Sequence, residues 1–201
     1  MAQAKTTAAP LLLANKAGPS SLSLSPLRVM SAETKPQTTS VPNAVWIGLG
    51  ANLGERAGAL RAALAAIAAL PGTNVRRVSS LYRSAPVDAG GPDYLNAVAE
   101  IATTLAPQAL LEALQAIEHG AGRERPYRNA PRMLDLDILL WCNPAVVLST
   151  ATLTVPHPRM AERAFVLLPL AEIAPKYVSQ AALRAVAAQC IEPLSSGPHW
   201  P

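Results

Sequence analysis

The sequence predicts an α+β fold, an antiparallel sheet with helices packed on it. Three observations carry that expectation. Short runs rich in Val, Ile, Leu and Trp are interleaved with two longer Ala/Leu-rich stretches, so strand and helix periods take turns along the chain. Turn formers fall between them, at Gly50 to Gly54, Pro71-Gly72 and Gly90-Gly91. Of the 201 residues, 50% are hydrophobic, enough for one substantial core.

The elements follow in order. Val45-Trp46-Ile47-Gly48-Leu49 reads as a strand, closed by the Gly/Asn turn. Glu55 to Leu70 reads as a helix stopped by Pro71-Gly72. Val75 to Tyr82 is β-branched and polar by turns, a second strand. Ser84 to Asp93 holds two prolines and two adjacent glycines and reads as a loop. Tyr94 to Leu105 alternates as a third strand. Pro107 opens a helix to about His119, with Leu110, Leu111, Leu114 and Ile117 on one face. Arg123 to Pro131 is an irregular, Arg-rich loop, and Leu134 to Trp141 a fourth strand. A short strand is expected near Ala145 to Leu148, a short helix near Arg159 to Arg163, and a last helix over Gln180 to Gln189, followed by a tail. The order β-α-β-β-α-β is the ferredoxin-like arrangement.

Charge is unevenly placed. The net charge is +4. Residues 1 to 43 carry Lys5, Lys16, Arg28 and Lys35 against Glu33, so three of those charges lie there. That stretch is rich in Ser, Thr, Ala and Pro, and reads as a disordered extension. Its acid-poor, Ser-rich composition also suits a transit peptide, and Met30 also suits a true start. The two cysteines, Cys142 and Cys190, exclude a disulfide scaffold or a multi-cysteine zinc site. The longest apolar run, Ala62 to Leu70, falls short of the roughly 20 residues of a membrane span. A single Phe and four Tyr provide no base-stacking platform of the kind RNA-binding modules of this fold use. No P-loop motif is present, and the histidines lack metal-ligand spacing.

Chemistry concentrates in three places. Strand side chains alternate faces, so Asp135 and Asp137 point one way while Leu134, Leu136 and Ile138 point to the core. Two carboxylates on one face either line a solvated surface or hold a cation, and Mg²⁺ is the hard, oxygen-seeking choice. Arg123, Arg125, Arg128 and Arg132 lie just upstream, either solvated or ready for phosphate oxygens. Arg159 and Arg163 follow downstream. Tyr94 and Asn96 share a strand face, where a ring and an amide suit a flat heterocycle, and Phe165 can supply an opposite ring. Core packing explains either ring equally well.

These residues carry a resemblance. Arg128-Asn129-Ala130-Pro131-Arg132-Met133-Leu134-Asp135-Leu136-Asp137-Ile138-Leu139 resembles the signature of the 6-hydroxymethyl-7,8-dihydropterin pyrophosphokinase family of the folate pathway. Ile47 to Gly54 resembles that family's opening strand and turn. Ser79-Ser80-Leu81-Tyr82-Arg83-Ser84-Ala85-Pro86 resembles its second strand and pterin loop, and Asp93-Tyr94-Leu95-Asn96-Ala97 its third strand. Thr154-Val155-Pro156-His157 and Arg163-Ala164-Phe165 resemble its late loop. The motifs run from about Val45 to Tyr177 in the family's order. Asn129 stands where the family often has Trp, and the arginine loop is one residue shorter.

The resemblance implies transfer of the β,γ-pyrophosphoryl group of ATP to the hydroxymethyl oxygen of the dihydropterin, releasing AMP. It implies two Mg²⁺ ions on Asp135 and Asp137, with Arg123 and Arg132 acting on the transferring group. It places Gln115, Glu118, Arg125, Arg128, Ile138, Thr154, His157 and Arg163 at the nucleotide. It places Ser84, Val87, Tyr94, Asn96 and Phe165 at the pterin. It gives a catalytic domain over 44–178, between the extension at 1–43 and a helix and tail at 179–201. The expected enzyme is cytoplasmic and monomeric, and takes small molecules rather than nucleic acid or membrane as partners.

Overall fold

In a computed structural model of the protein, the structure describes residues 41–86, 91–122, 133–142, 146–194 and 200. The chain divides into two units, Met1–Thr38 and Thr39–Pro201, and the first lies wholly outside the described residues. The order is β1 (Asn43–Ala51), α1 (Arg56–Ala68), β2 (Thr73–Val78), β3 (Tyr82–Ser84), β4 (Tyr94–Thr103), α2 (Pro107–Gly120) and β5 (Asp135–Cys142). There follow β6 (Leu148–Ser149), β7 (Thr154–Val155), α3 (Ala164–Ile173), α4 (Gln180–Ala185) and β8 (Ile191–Pro193), with 3₁₀ turns at Met160–Glu162 and Pro175–Tyr177.

The main sheet runs β5-β1-β4-β3-β8, with β2 also paired to β4, and every pairing is antiparallel. The α+β expectation holds. The second strand, read as one run from Val75 to Tyr82, is two. Ser79 breaks it: its amide donates to the Val98 carbonyl, while its hydroxyl oxygen accepts from the Val98 amide at 2.9 Å. A serine side chain thus takes over a ladder position, the local competition expected of that residue. Ile191–Pro193, read as tail, pairs with β3 as an edge strand. Phe165 to Leu170 lies inside α3.

Each face of the sheet has its own cover. Val45, Ile47 and Leu49 of β1, Leu95, Ala97, Ala99 and Ile101 of β4, and Leu136 and Ile138 of β5 pack with Leu60, Ile67, Leu110 and Leu114 of α1 and α2. On the other face Trp46, Val98 and Leu139 pack against Met160 and Val166, Leu170 and Ile173 of α3. At about 2–5 kcal/mol per buried Leu or Ile truncated to Ala, either cluster is decisive for folding. The turn after α1 requires glycine: Gly72 has φ +61°, and a Cβ there would lie 2.1 Å from Thr104 Oγ1.

One irregularity sets the phase of β5. Trp46 opposes Leu140, but Ile47 opposes Ile138, so Leu139 is an extra residue, a β-bulge. Ahead of it Asp135 and Asp137 share Leu139's face and Leu136 and Ile138 the helix face, as strand alternation requires. Behind it Trp141 returns to the helix side.

Candidate active site

α3 covers only part of its face of the sheet. The remaining floor is built by cross-strand neighbours. Gly50 of β1 lies between Asn96 of β4 and Asp135 of β5, and Gly48 lies opposite Asp137. A Cβ on Gly50 would sit 3.5 Å from Asn96 Oδ1 and 4.0 Å from the Asp135 Cβ. With no side chain at Gly50, the amide and the carboxylate flank bare backbone. Asn96 is buried, and its Nδ2 donates to Ser84 Oγ at 3.0 Å, which fixes the amide's orientation. Tyr94, half-buried, opens β4 at the same end.

The charged side of the floor centres on Asp137. Arg163 Nη1 lies 3.9 Å from Asp137 Oδ2, and the Arg163 guanidinium stands 5.5 Å from the centroid of the Phe165 ring. Arg163 is the residue before α3 and Phe165 sits in the first turn, so one helix start delivers both. His157 and Arg159 complete the cluster. Burial lowers the His157 pKa below the usual histidine value; attraction to Asp137 opposes this, while Arg163 and Arg159 add to it. The neutral imidazole accepts from the Arg159 amide at Nδ1, 3.2 Å away, which leaves its proton on Nε2 as a donor. Burial also lowers the Arg163 pKa, and Arg159 adds to the effect; Asp137 and Asp135 pull the other way. Such cations, partly desolvated and mutually repelling, gain from an arriving anion.

The outer edge of β5 has its own lining. Glu118 of α2 is buried, and its Oε1 accepts from the Leu136 amide at 2.7 Å. Farther along, the His157 amide donates to the Leu139 carbonyl at 2.9 Å. Between these two anchors lies the main chain of Ile138, whose side chain is buried among the core residues. Gln115 is exposed on α2, and Thr154, half-buried, lies on β7.

The sequence-predicted site residues therefore fall into two groups on β5 and its neighbours. Ser84, Asn96, Asp135, Asp137, Arg163 and Phe165 share the open face, with Tyr94 at its rim and His157 beside it. Gln115, Glu118, Ile138 and Thr154 flank the strand's outer edge. Arg123, Arg125, Arg128, Arg132 and Val87 lie outside the described residues. Among the described residues no three His, Cys, Asp or Glu side chains form a cluster able to hold a metal ion. Two carboxylates on one strand face suit Mg²⁺, which keeps coordination positions for water and phosphate oxygens.

Sequence reasoning missed three contributors. The floor glycines, Gly48 and Gly50, stand out in the sequence only as part of the opening strand and turn; their register beside two aspartates is visible only in the sheet. Glu172 of α3 accepts from the Ser80 amide and hydroxyl and from Tyr82 Oη, tying α3 to the break between β2 and β3. A lone acid on a helix gives no sequence signal for this. Asn52 Nδ2 donates to the Pro92 carbonyl at 3.4 Å and Arg56 Nη1 to the Asp93 carbonyl, joining the turn after β1 to the entry of β4.

Comparison with known proteins bears on the family and the fold. The family model for 7,8-dihydro-6-hydroxymethylpterin-pyrophosphokinase matches residues 46–175. A 2-amino-4-hydroxy-6-hydroxymethyldihydropteridine pyrophosphokinase of Synechocystis is 41% identical over 155 residues, covering 77% of this chain and 78% of the relative. One of Pseudomonas aeruginosa is 49% identical over 132 residues, covering 65% and 80%. A crystal structure of a Plasmodium falciparum HPPK-DHPS triple mutant with pteroate shares the fold at a TM-score of 0.54 and 14% identity. That match covers 72% of this chain and 42% of the Plasmodium chain, so this chain spans about two-fifths of that protein.

Proposed function

The chain belongs to the 7,8-dihydro-6-hydroxymethylpterin-pyrophosphokinase family and is a pyrophosphokinase of folate biosynthesis; we propose that its transfer reaction takes place on the open face between Asn96 and Arg163. The hydroxymethyl oxygen of the dihydropterin gives up its proton to water and attacks the β-phosphorus of ATP. The bond from that phosphorus to the α,β-bridging oxygen breaks, AMP leaves, and the pterin carries the diphosphate.

The observation that carries this reading is the junction at Asp137. A carboxylate pair on one strand face meets a partly desolvated cation, with Arg163 Nη1 at 3.9 Å from Asp137. A metal–triphosphate substrate needs both signs of charge side by side. Asp135 and Asp137 would hold two Mg²⁺ ions. Bound there, the ions would neutralise phosphate charge and lower the pKa of the attacking hydroxyl. The protein's own groups do the rest. Arg163 and the Nε2–H of His157 bind phosphate oxygens. Arg123 and Arg132 bear on the transferring group, and Arg125 and Arg128 on the remaining phosphates. Asn96, oriented by Ser84, hydrogen-bonds the pterin edge, while Tyr94 and Phe165 stack on its faces and Val87 lines the pocket. The outer edge of β5, with Ile138 main chain between Glu118 and His157, takes the nucleoside with Gln115 and Thr154 beside it.

We propose that the enzyme works as a cytoplasmic monomer on small molecules, with no nucleic acid, in keeping with two substrates that are both small and soluble. Among the described residues no helix is long and apolar enough to cross a membrane. The test is AMP release from ATP, Mg²⁺ and 6-hydroxymethyl-7,8-dihydropterin. Stoichiometric AMP and pterin diphosphate are expected; no AMP above background from folded protein overturns the reading.

A further inference from the structure

Leu110, Leu114 and Glu118 follow one another at intervals of four along α2, and all three are buried. They form a single stripe. A carboxyl group thus stands where the helix pattern calls for a third leucine. It is 2% exposed, so it cannot meet a ligand arriving from solvent without leaving its place. Its Oε1 instead accepts the Leu136 amide proton at 2.7 Å. Leu136 is the residue between Asp135 and Asp137. Among the described residues its strand pairs with β1 on one side only, so the amide on the outer side takes an acceptor from elsewhere. Burying a carboxyl group is costly, and an apolar side chain would pack more favourably. What the carboxyl adds is a directed bond to the amide of the residue that separates the two aspartates.

We propose that Glu118 is a positioning residue: it clamps β5 at Leu136 and thereby fixes the spacing and facing of Asp135 and Asp137. The inference rests on the reading that those two carboxylates hold Mg²⁺. It revises the place of Glu118 from nucleotide contact to support of the strand beneath the metal site.

Two variants of the full chain separate the roles. Glu118→Gln keeps an oxygen of the same reach; Glu118→Leu continues the apolar stripe and removes the acceptor. Three quantities are read. They are amide exchange at Leu136 in metal-free protein, the Mg²⁺ concentration giving half-maximal AMP release, and the Kd of AMP in EDTA. Glu118→Leu is expected to speed Leu136 exchange about tenfold or more, the size expected when a buried amide loses its acceptor. The Mg²⁺ requirement should rise by about tenfold as well, since ligand spacing governs Mg²⁺ binding. Metal-free AMP affinity should stay within about threefold, because no contact to the nucleotide is removed. Glu118→Gln should rescue all three toward wild type.

Unchanged Leu136 exchange and Mg²⁺ requirement in Glu118→Leu would overturn the proposal. So would a matching loss of AMP affinity in both variants, which marks a nucleotide contact. If Glu118→Leu does not fold, Glu118→Gln decides: wild-type exchange and activity support the clamp, and lost AMP affinity with Leu136 still protected overturns it. Failure of the wild type to release AMP would instead strike the reaction assignment, and leaves the exchange result to judge the clamp alone.

Discussion

Gly50→Ala should stabilise the protein and impair it at once. The backbone at Gly50 is outside the left-handed region that favours glycine, and among the described residues a Cβ there would meet only Asn96 Oδ1 at 3.5 Å and Asp135 Cβ at 4.0 Å. Both are ordinary contacts. Replacing glycine by alanine at a compatible position raises stability by roughly 0.4–1 kcal/mol through the unfolded chain. The new methyl, however, stands on the floor between the Asn96 amide, proposed to read the pterin edge, and the first carboxylate. A methyl forced into a filled pocket costs about 1–3 kcal/mol, or roughly a 5- to 150-fold loss in kcat/KM. The assay is AMP release with the pterin varied at saturating ATP, beside thermal unfolding. Gly48→Ala is the control: its Cβ would rest against the Leu139 side chain at 3.4 Å, so any loss there should be far smaller. A destabilised Gly50→Ala would refute the argument from space. A stable variant with wild-type kcat/KM would show that the substrate does not lie over that floor.

Three further outcomes are expected. Asp137→Ala should cut turnover by about 10³-fold or more while the fold survives, because its side chain is 41% exposed; wild-type-like rates would refute the metal assignment. Phe165→Ala should raise the KM for pterin by roughly 5- to 100-fold, the worth of one aromatic stack, and leave that for ATP within about threefold; equal loss of both, or loss of folding, would make the ring a packing residue. Tyr82, its pKa pushed up from 10.0 to about 12 first by burial and then by the Glu172 carboxylate, should shape alkaline stability. The folded value lies above the unfolded one, so the contribution is complete below pH 10 and fades as pH rises toward about 12. Tyr82→Phe should flatten that limb in denaturant titrations from pH 9 to 12, and an identical slope in both proteins would refute the assignment.

The paired carboxylates were legible in the sequence because strand alternation is a local property. Leu134, Leu136 and Ile138 against Asp135 and Asp137 need no partner to be read. The helices were legible for the same reason, with Pro107 at the start of one and Pro71-Gly72 past the end of the other. What escaped was set by contacts distant along the chain. The break at Ser79 depends on Val98, and the edge strand Ile191–Pro193 depends on β3. Nothing near Glu172 announces that it receives the Ser80 and Tyr82 donors. Glu118 is intermediate. It entered through the resemblance, while the apolar face was read as ending at Ile117, and its partner, 18 residues away, gave no local signal.

The extra residue at Leu139 has a wider consequence. A regular strand has one phase, so a change that suits its chemistry at one end must be tolerated by its packing at the other. Here the bulge uncouples the two ends. The segment from Asp135 to Ile138 can answer to the carboxylate pair it presents, and that from Leu140 to Cys142 to cohesion, without either dictating which face the other presents. Losing that single residue would leave composition nearly untouched, yet would bring the two halves back into one register and set them in conflict.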